Sequence, residues 1–159
     1  MAIHKLLVDD FEDSNYSLLA VHCEMEGYRL AYYLNKYLET RLARTKEDLD
    51  FITSLASFSV FKWSNKQLQT DWHLIKNSCL VEKMAVSQGL FSEINDKSWV
   101  IHSLLPEHHS VDYILKINNG GGFINEKQIL GKIQKIPKVS TAYSVDISQL
   151  KSKDHLIFN

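Results

Sequence analysis

The stretch Leu104–Ile117, LLPEHHSVDYILKI, constrains the fold more than any other part of the chain. Pro106 has no N–H for a sheet ladder and a fixed φ, so it ends one strand and starts a turn. Beyond it the residues alternate. Val111, Tyr113, Leu115 and Ile117 fall on one face of an extended segment, and Asp112, Ile114 and Lys116 on the other. Glu107 and Asp112 flank a connection that reverses the chain. Such carboxylates ordinarily accept backbone N–H bonds or pair with a basic side chain, here fixing a hairpin. A sharper alternative is a site built from Glu107, His108, His109 and Asp112. Adjacent histidines on a strand point to opposite faces, however, and Glu107 with His109 supplies two ligands where zinc or non-haem iron needs three. Neither a metal nor a cofactor is expected.

The segment LPEHHSVDY, Leu105–Tyr113, resembles the signature of a bacterial family named after its motif, IPExxxVDY. Leu105 stands in the place of Ile, while Pro106, Glu107, Val111, Asp112 and Tyr113 match, and His108, His109 and Ser110 fill the variable positions. The likeness extends to the closing LKSKDHLIF, Leu150–Phe158, and to the order of elements between. That family carries no assigned activity, so the resemblance implies a structural or binding motif and names no reaction. Members of that family are often encoded beside fatty-acid-synthesis genes, so the resemblance implies an acidic partner such as an acyl carrier protein.

Composition sets the class. With 159 residues, 45% hydrophobic and 23% charged, the chain is expected to fold as one ordinary domain with its own core. An acidic lead-in, 1–14, precedes it and a tail, 148–159, closes it. Cys23 and Cys79 lie far apart with no CxxC spacing, which excludes zinc-ribbon and thioredoxin patterns and reads as buried free thiols. There is no signal-peptide pattern and no apolar run near the roughly 18 residues that span a bilayer, so a cytoplasmic protein without a membrane partner is expected. The net charge of −1 argues against general nucleic-acid binding. That charge is uneven: acidic residues prevail up to residue 56, and lysines prevail after residue 113.

Along the chain, Tyr16–Cys23 is apolar on both alternating faces and reads as a strand inside a sheet. Leu30, Leu34 and Leu38, with Tyr33 and Tyr37, predict a helix over Gly27–Arg41. Residues 45–57 read as a connection with a short extended piece. Phe58–Trp63 alternates, with Phe58 and Val60 opposed to Phe61 and Trp63. Trp72–Lys76, Leu80–Ala85 and Ser98–Leu105 are further strands of a meander, with 87–98 a surface excursion. The closing unit is a strand, the turn NNGGGF, a helix capped by Asn125 and stopped by Pro137, and a strand alternating from Val139 to Ile147. The expected fold class is α+β: a largely antiparallel sheet of about six or seven strands, two main helices on one face, and a ferredoxin-like C-terminal β-α-β unit.

Three functions are open to such a chain. The first is a non-enzymatic binding or adaptor protein, because no GxSxG, HExxH, Walker or Cys–His pattern occurs. Its candidate surface is Lys127, Lys132, Lys135 and Lys138, which would steer an acidic protein partner. The second is a small-ligand sensor using Gly120, Gly121 and Gly122 at a helix start. The third is an enzyme using Glu107, Asp112 and a histidine as acid–base groups. A sheet with free edges also offers a surface for a homodimer.

Overall fold

Both faces of strand β1 (Tyr16–Cys23) are apolar, and the fold covers both. The computed structural model describes residues 16–84, 97–120 and 122–158. After β1 come helix α1 (Gly27–Leu38), the short β2 (Ala43–Arg44), and the paired β3 (Leu49–Phe51) and β4 (Ala56–Phe58). Next are β5 (Val60–Asn65), β6 (Thr70–Lys76), β7 (Ser78–Met84) and β8 (Lys97–Ser103). A 3-10 turn (Pro106–His108) leads to β9 (Tyr113–Asn118), helix α2 (Glu126–Gln134) and β10 (Val139–Ser144). Two further 3-10 turns, Ile147–Gln149 and Lys153–Leu156, complete the tail.

The architecture is α+β. Six strands form an antiparallel sheet in the order β10-β1-β9-β6-β5-β2. β3–β4 and β7–β8 are separate two-stranded ribbons. Strands β9 and β10 both run antiparallel to β1, which lies between them, so β9-α2-β10 is a split β-α-β unit. Both helices lie on one face. There Leu30, Ala31 and Leu34 of α1 and Ile133 of α2 pack on Leu19, Val21, Leu74, Leu115 and Ile117. On the other face, Leu18, Ala20, Val60, Ile75 and Ile114 are covered by Phe58, Val81, Leu104, Leu105, Leu150 and Leu156. Covering by ribbon and tail explains why the central strands carry apolar residues on both faces.

Local chemistry set several boundaries that periodicity did not. Helix α1 ends at Leu38, short of Arg41, because Glu39 adopts a left-handed conformation (φ 56°). Asn35 then holds the departing chain: its Oδ1 accepts from Thr40 Oγ1 and from the Leu42 N–H, and its Nδ2 donates to the Leu42 carbonyl. The β3–β4 hairpin, Leu49–Phe58, takes up most of the expected connection at 45–57. Phe58 and Val60 do oppose Phe61 and Trp63, but Ser59 divides the stretch between two strands. The meander is interrupted. β6 pairs with β5 and β9, while β7 leaves the sheet and pairs with β8. The last strand ends at Ser144, and Val145 turns onto the second core with its N–H on the Leu18 carbonyl (2.8 Å). The expected excursion at 87–98 and the acidic lead-in lie almost wholly, or wholly, outside the described residues.

Candidate functional site

The segment between β8 and β9 does not form a hairpin, since β8 pairs with β7, and β9 with β1 and β6. What shapes it is Asn77, the one residue between β6 and β7 and fully buried (0% exposed). Its backbone N–H donates to the Asp112 carbonyl (2.9 Å), and its carbonyl accepts from the Leu104 N–H (2.7 Å). Its side chain donates to the carbonyls of His108 (2.8 Å) and Val111 (2.9 Å) and accepts from the Leu105 N–H (3.0 Å). Every polar group of Asn77 is therefore spent on the loop's backbone, which has no sheet partner of its own. Val111 is drawn into the second core by this turn, on the face opposite Tyr113, Leu115 and Ile117, and not alongside them as alternation predicts.

The motif's polar side chains reach out from this knot. Asp112 Oδ2 accepts from the Cys23 N–H (2.9 Å), and the Tyr113 hydroxyl donates to the Met25 carbonyl (2.6 Å). Together they hold the connection from β1 to α1. Burial raises the Tyr113 hydroxyl well above the ordinary phenol range, and burial likewise raises the Cys23 thiol. Glu107 grips the tail. Its carboxylate accepts from the N–H groups of Lys151 and Ser152 (2.8 Å each) and from Ser152 Oγ (2.6 Å). These bonds, the Ser152 hydroxyl foremost, hold its carboxyl below the usual carboxylate range. His155 Nδ1 donates to the Leu104 carbonyl (2.7 Å), a second tie between tail and motif.

The tail so anchored closes over a polar row on the second face of the sheet. Lys62 of β5, His73 of β6 and Lys116 of β9 stand directly opposite one another in register. Lys116 is 9% exposed; its Nζ donates to the Leu156 carbonyl (2.7 Å) and lies 4.7 Å from the ring centroids of Tyr16 and Phe158. It makes no ion pair among the described residues, and burial pushes its ammonium below the ordinary lysine value. His73 is 5% exposed and meets Phe158 edge-to-face at 4.8 Å. Among the described residues neither of its ring nitrogens has a hydrogen-bond partner. Burial, with Lys62 and Lys116 adding to it and Asp71 opposing, pushes His73 down to about 4. At neutral pH the ring is uncharged, with one N–H and one lone pair unspent.

Beside this row lies a cleft of about 370 Å³ between the 45–49 loop, Val60 and Lys62, with His73 and Phe158 also lining it. Its size is that of small-molecule sites. Leu49, Val60 and Phe158 give it apolar walls, and Lys46, Lys62 and Glu47 bring charge. The Thr45 hydroxyl is already shared between the carbonyls of Glu47 (2.7 Å) and Val60 (3.0 Å). Asp48 is held by Arg44. The arrangement offers recognition: one neutral imidazole, nearby ammonium groups and a hydrophobic wall.

The residues singled out from sequence lie apart. Pro106 opens the 3-10 turn, and Glu107 and Asp112 bind different segments, the tail and the end of β1. Among the described residues no three His, Cys, Asp or Glu side chains converge on a metal position. In the glycine turn, Gly120 (φ 55°) donates its N–H to Asn118 Oδ1 and Gly122 donates its N–H to the Asn119 carbonyl. Gly121 lies outside the described residues. Asn125 caps α2 by accepting from the Gln128 N–H (3.1 Å). Lys127, Lys135 and Lys138 are exposed and Lys132 is half-buried; none makes an ion pair among the described residues. Sequence reasoning missed Asn77, Phe158 and the Lys62–His73–Lys116 row. The available signal was a polar residue at an inward place in each of two apolar runs, WHLI and ILKI. Comparison with known proteins found no matching family model, no matching curated protein and no matching solved structure.

Proposed function

We propose that this chain is a binding protein that seats a small molecule in the cleft beneath its C-terminal tail. The observation that carries this reading is His73, which lines the cleft at 5% exposure; both of its ring nitrogens lack a partner among the described residues and are covered, so a ligand reaches them where Phe158 gives way. A buried polar group left without a partner costs about 1–3 kcal/mol, and a ligand that supplied the partner would recover that. The motif then has a role in the same reading: Glu107 holds the tail, and the tail carries Phe158 to the cleft. Membership of the IPExxxVDY family belongs to the proposal, supported by the use of Glu107, Asp112 and Tyr113 to tie distant segments together. The test is a thermal-shift screen of metabolites on the full chain and on His73→Leu. A compound class that stabilises the native chain and not the variant supports the reading; a broad screen without such a class sinks it.

A second reading keeps an acidic protein partner, such as an acyl carrier protein, on α2 and the turn that follows it. It is favoured by Lys127, Lys135 and Lys138, exposed and without ion pairs among the described residues. Capture of an acidic protein at low salt, lost with Lys135→Glu and Lys138→Glu, supports it; capture indifferent to salt and to both changes removes it. No helix among the described residues is long and apolar enough to cross a membrane. A cytoplasmic setting and a homodimer through a sheet edge are part of the proposal, the latter tested by sedimentation.

A further inference from the structure

Resting on the ligand-binding reading, we infer that the cleft takes a small organic acid, its carboxylate against His73 and Lys62 and its apolar body against Leu49, Val60 and Phe158. The row Lys62–His73–Lys116 crosses three neighbouring strands in direct register, so its side chains stand roughly 5 Å apart on one face. Among the described residues the acids that face this row are Asp71, two residues back on β6, and Glu47 and Asp48 on the loop. Asp48 is occupied by Arg44, and Glu47 lines the cleft together with Lys46. Lys62 and Lys116 make no ion pair among the described residues, and Lys116 is turned to the Leu156 carbonyl. The row thus favours one negative charge.

A carboxylate matches it better than a phosphate. One imidazole N–H and one ammonium suit two carboxylate oxygens, whereas a phosphate dianion is ordinarily met by arginine forks or a run of backbone N–H groups. The lining residues include no arginine and no helix N-terminus. The charge of the ligand also has a consequence for His73. An anion beside the ring opposes burial and the two lysines, so the ring of the complex gains a proton more readily than the empty site, where it protonates only near 4. Binding therefore takes up a proton on the acid side of neutrality and tightens as the pH falls from 7 toward 5.

The experiment is an NMR pH titration of the His73 ring signals in the full chain, alone and with hexanoate, hexanamide or hexylamine. Hexanoate is expected to move the His73 signals, to raise the pH at which the ring protonates, and to bind about ten- to hundredfold tighter than hexanamide. Lys62→Met should remove most of that preference while leaving the fold intact, as judged by the remaining spectrum. Equal binding of hexanamide, or binding of hexylamine alone, overturns the carboxylate assignment and leaves a ligand cleft of another class. Silence of His73 toward all three, when the thermal screen yields a non-acidic ligand, also overturns it. Silence in both experiments removes the ligand reading as well.

Discussion

Acidification should destabilise this protein through His73, and replacing that residue should remove its share of the effect. In the unfolded chain the ring takes a proton near its ordinary value of 6.5, whereas in the folded chain it does so only near 4. Between these values the unfolded state holds more protons, so stability is complete above pH 6.5 and falls as the pH drops toward 4. At about 1.36 kcal/mol per pH unit, the gap amounts to about 3 kcal/mol, of which about 2–3 kcal/mol is gone by pH 4.5. With 5% exposure, the ring receives little solvent screening. Urea unfolding followed by tryptophan fluorescence at pH 7.5, 6 and 4.5 measures it. His73→Leu keeps the volume roughly and removes both unpartnered nitrogens, so at pH 7.5 it should be about 1–3 kcal/mol more stable than the native chain. Its advantage should widen by about 2–3 kcal/mol at pH 4.5. Glu107 and Asp146, whose carboxyls are also held low, contribute equally to both chains and cancel in the comparison. Parallel pH curves for the two proteins would refute the reasoning, because they would mean that the ring is charged or partnered in the folded state.

Three other outcomes follow from the same geometry. Asn77→Ala strips partners from the Leu105 N–H and from the His108 and Val111 carbonyls, and should cost on the order of 3–5 kcal/mol in urea unfolding; a loss under about 1 kcal/mol would mean that the loop holds itself. Glu107→Ala should speed hydrogen exchange of the Lys151 and Ser152 amides with little change in the β1–β9 ladder; unchanged exchange would show that the tail is anchored elsewhere. Because hydrogen bonding lowers the Glu107 carboxyl, that anchor is present above its ordinary value near 4.5 and weakens as the pH falls through the lowered one. Phe158→Ala should let water reach His73 and move its protonation from about 4 toward 6.5, read from the ring signals by NMR; a ring that still protonates near 4 would mean that Phe158 is not what buries it.

The main sheet was legible because its strands carry an unmistakable signal. Tyr16–Cys23 is apolar at every other place on both sides, which only a sheet covered on both faces accommodates, and Phe58 to Trp63 sorted onto two faces as alternation required. The Asn125 cap was equally plain, since the residue type and its spacing to Gln128 carry the local geometry. The cleft was not legible, because its parts are brought together by pairing and by the tail. Lys62, His73 and Lys116 are neighbours only through the register of β5, β6 and β9, and nothing in their spacing along the chain encodes that register. Asn77 was invisible for a related reason: an asparagine between two strands reads as a turn residue, and only the fold shows it buried with all its polar groups engaged. The motif lay between these cases. Its carboxylates were expected to take backbone N–H groups and do so, but from the tail and from the end of β1, where the expected hairpin would have supplied them locally.

The position of a bound ligand tests the central claim most directly. Crystals of the full chain grown with a saturating amount of the strongest stabiliser from the thermal screen should show that compound in the cleft, beneath Phe158 and hydrogen-bonded to a ring nitrogen of His73. The same compound found elsewhere on the molecule, with both His73 nitrogens still unpartnered, would contradict the assignment of this cleft as the binding site.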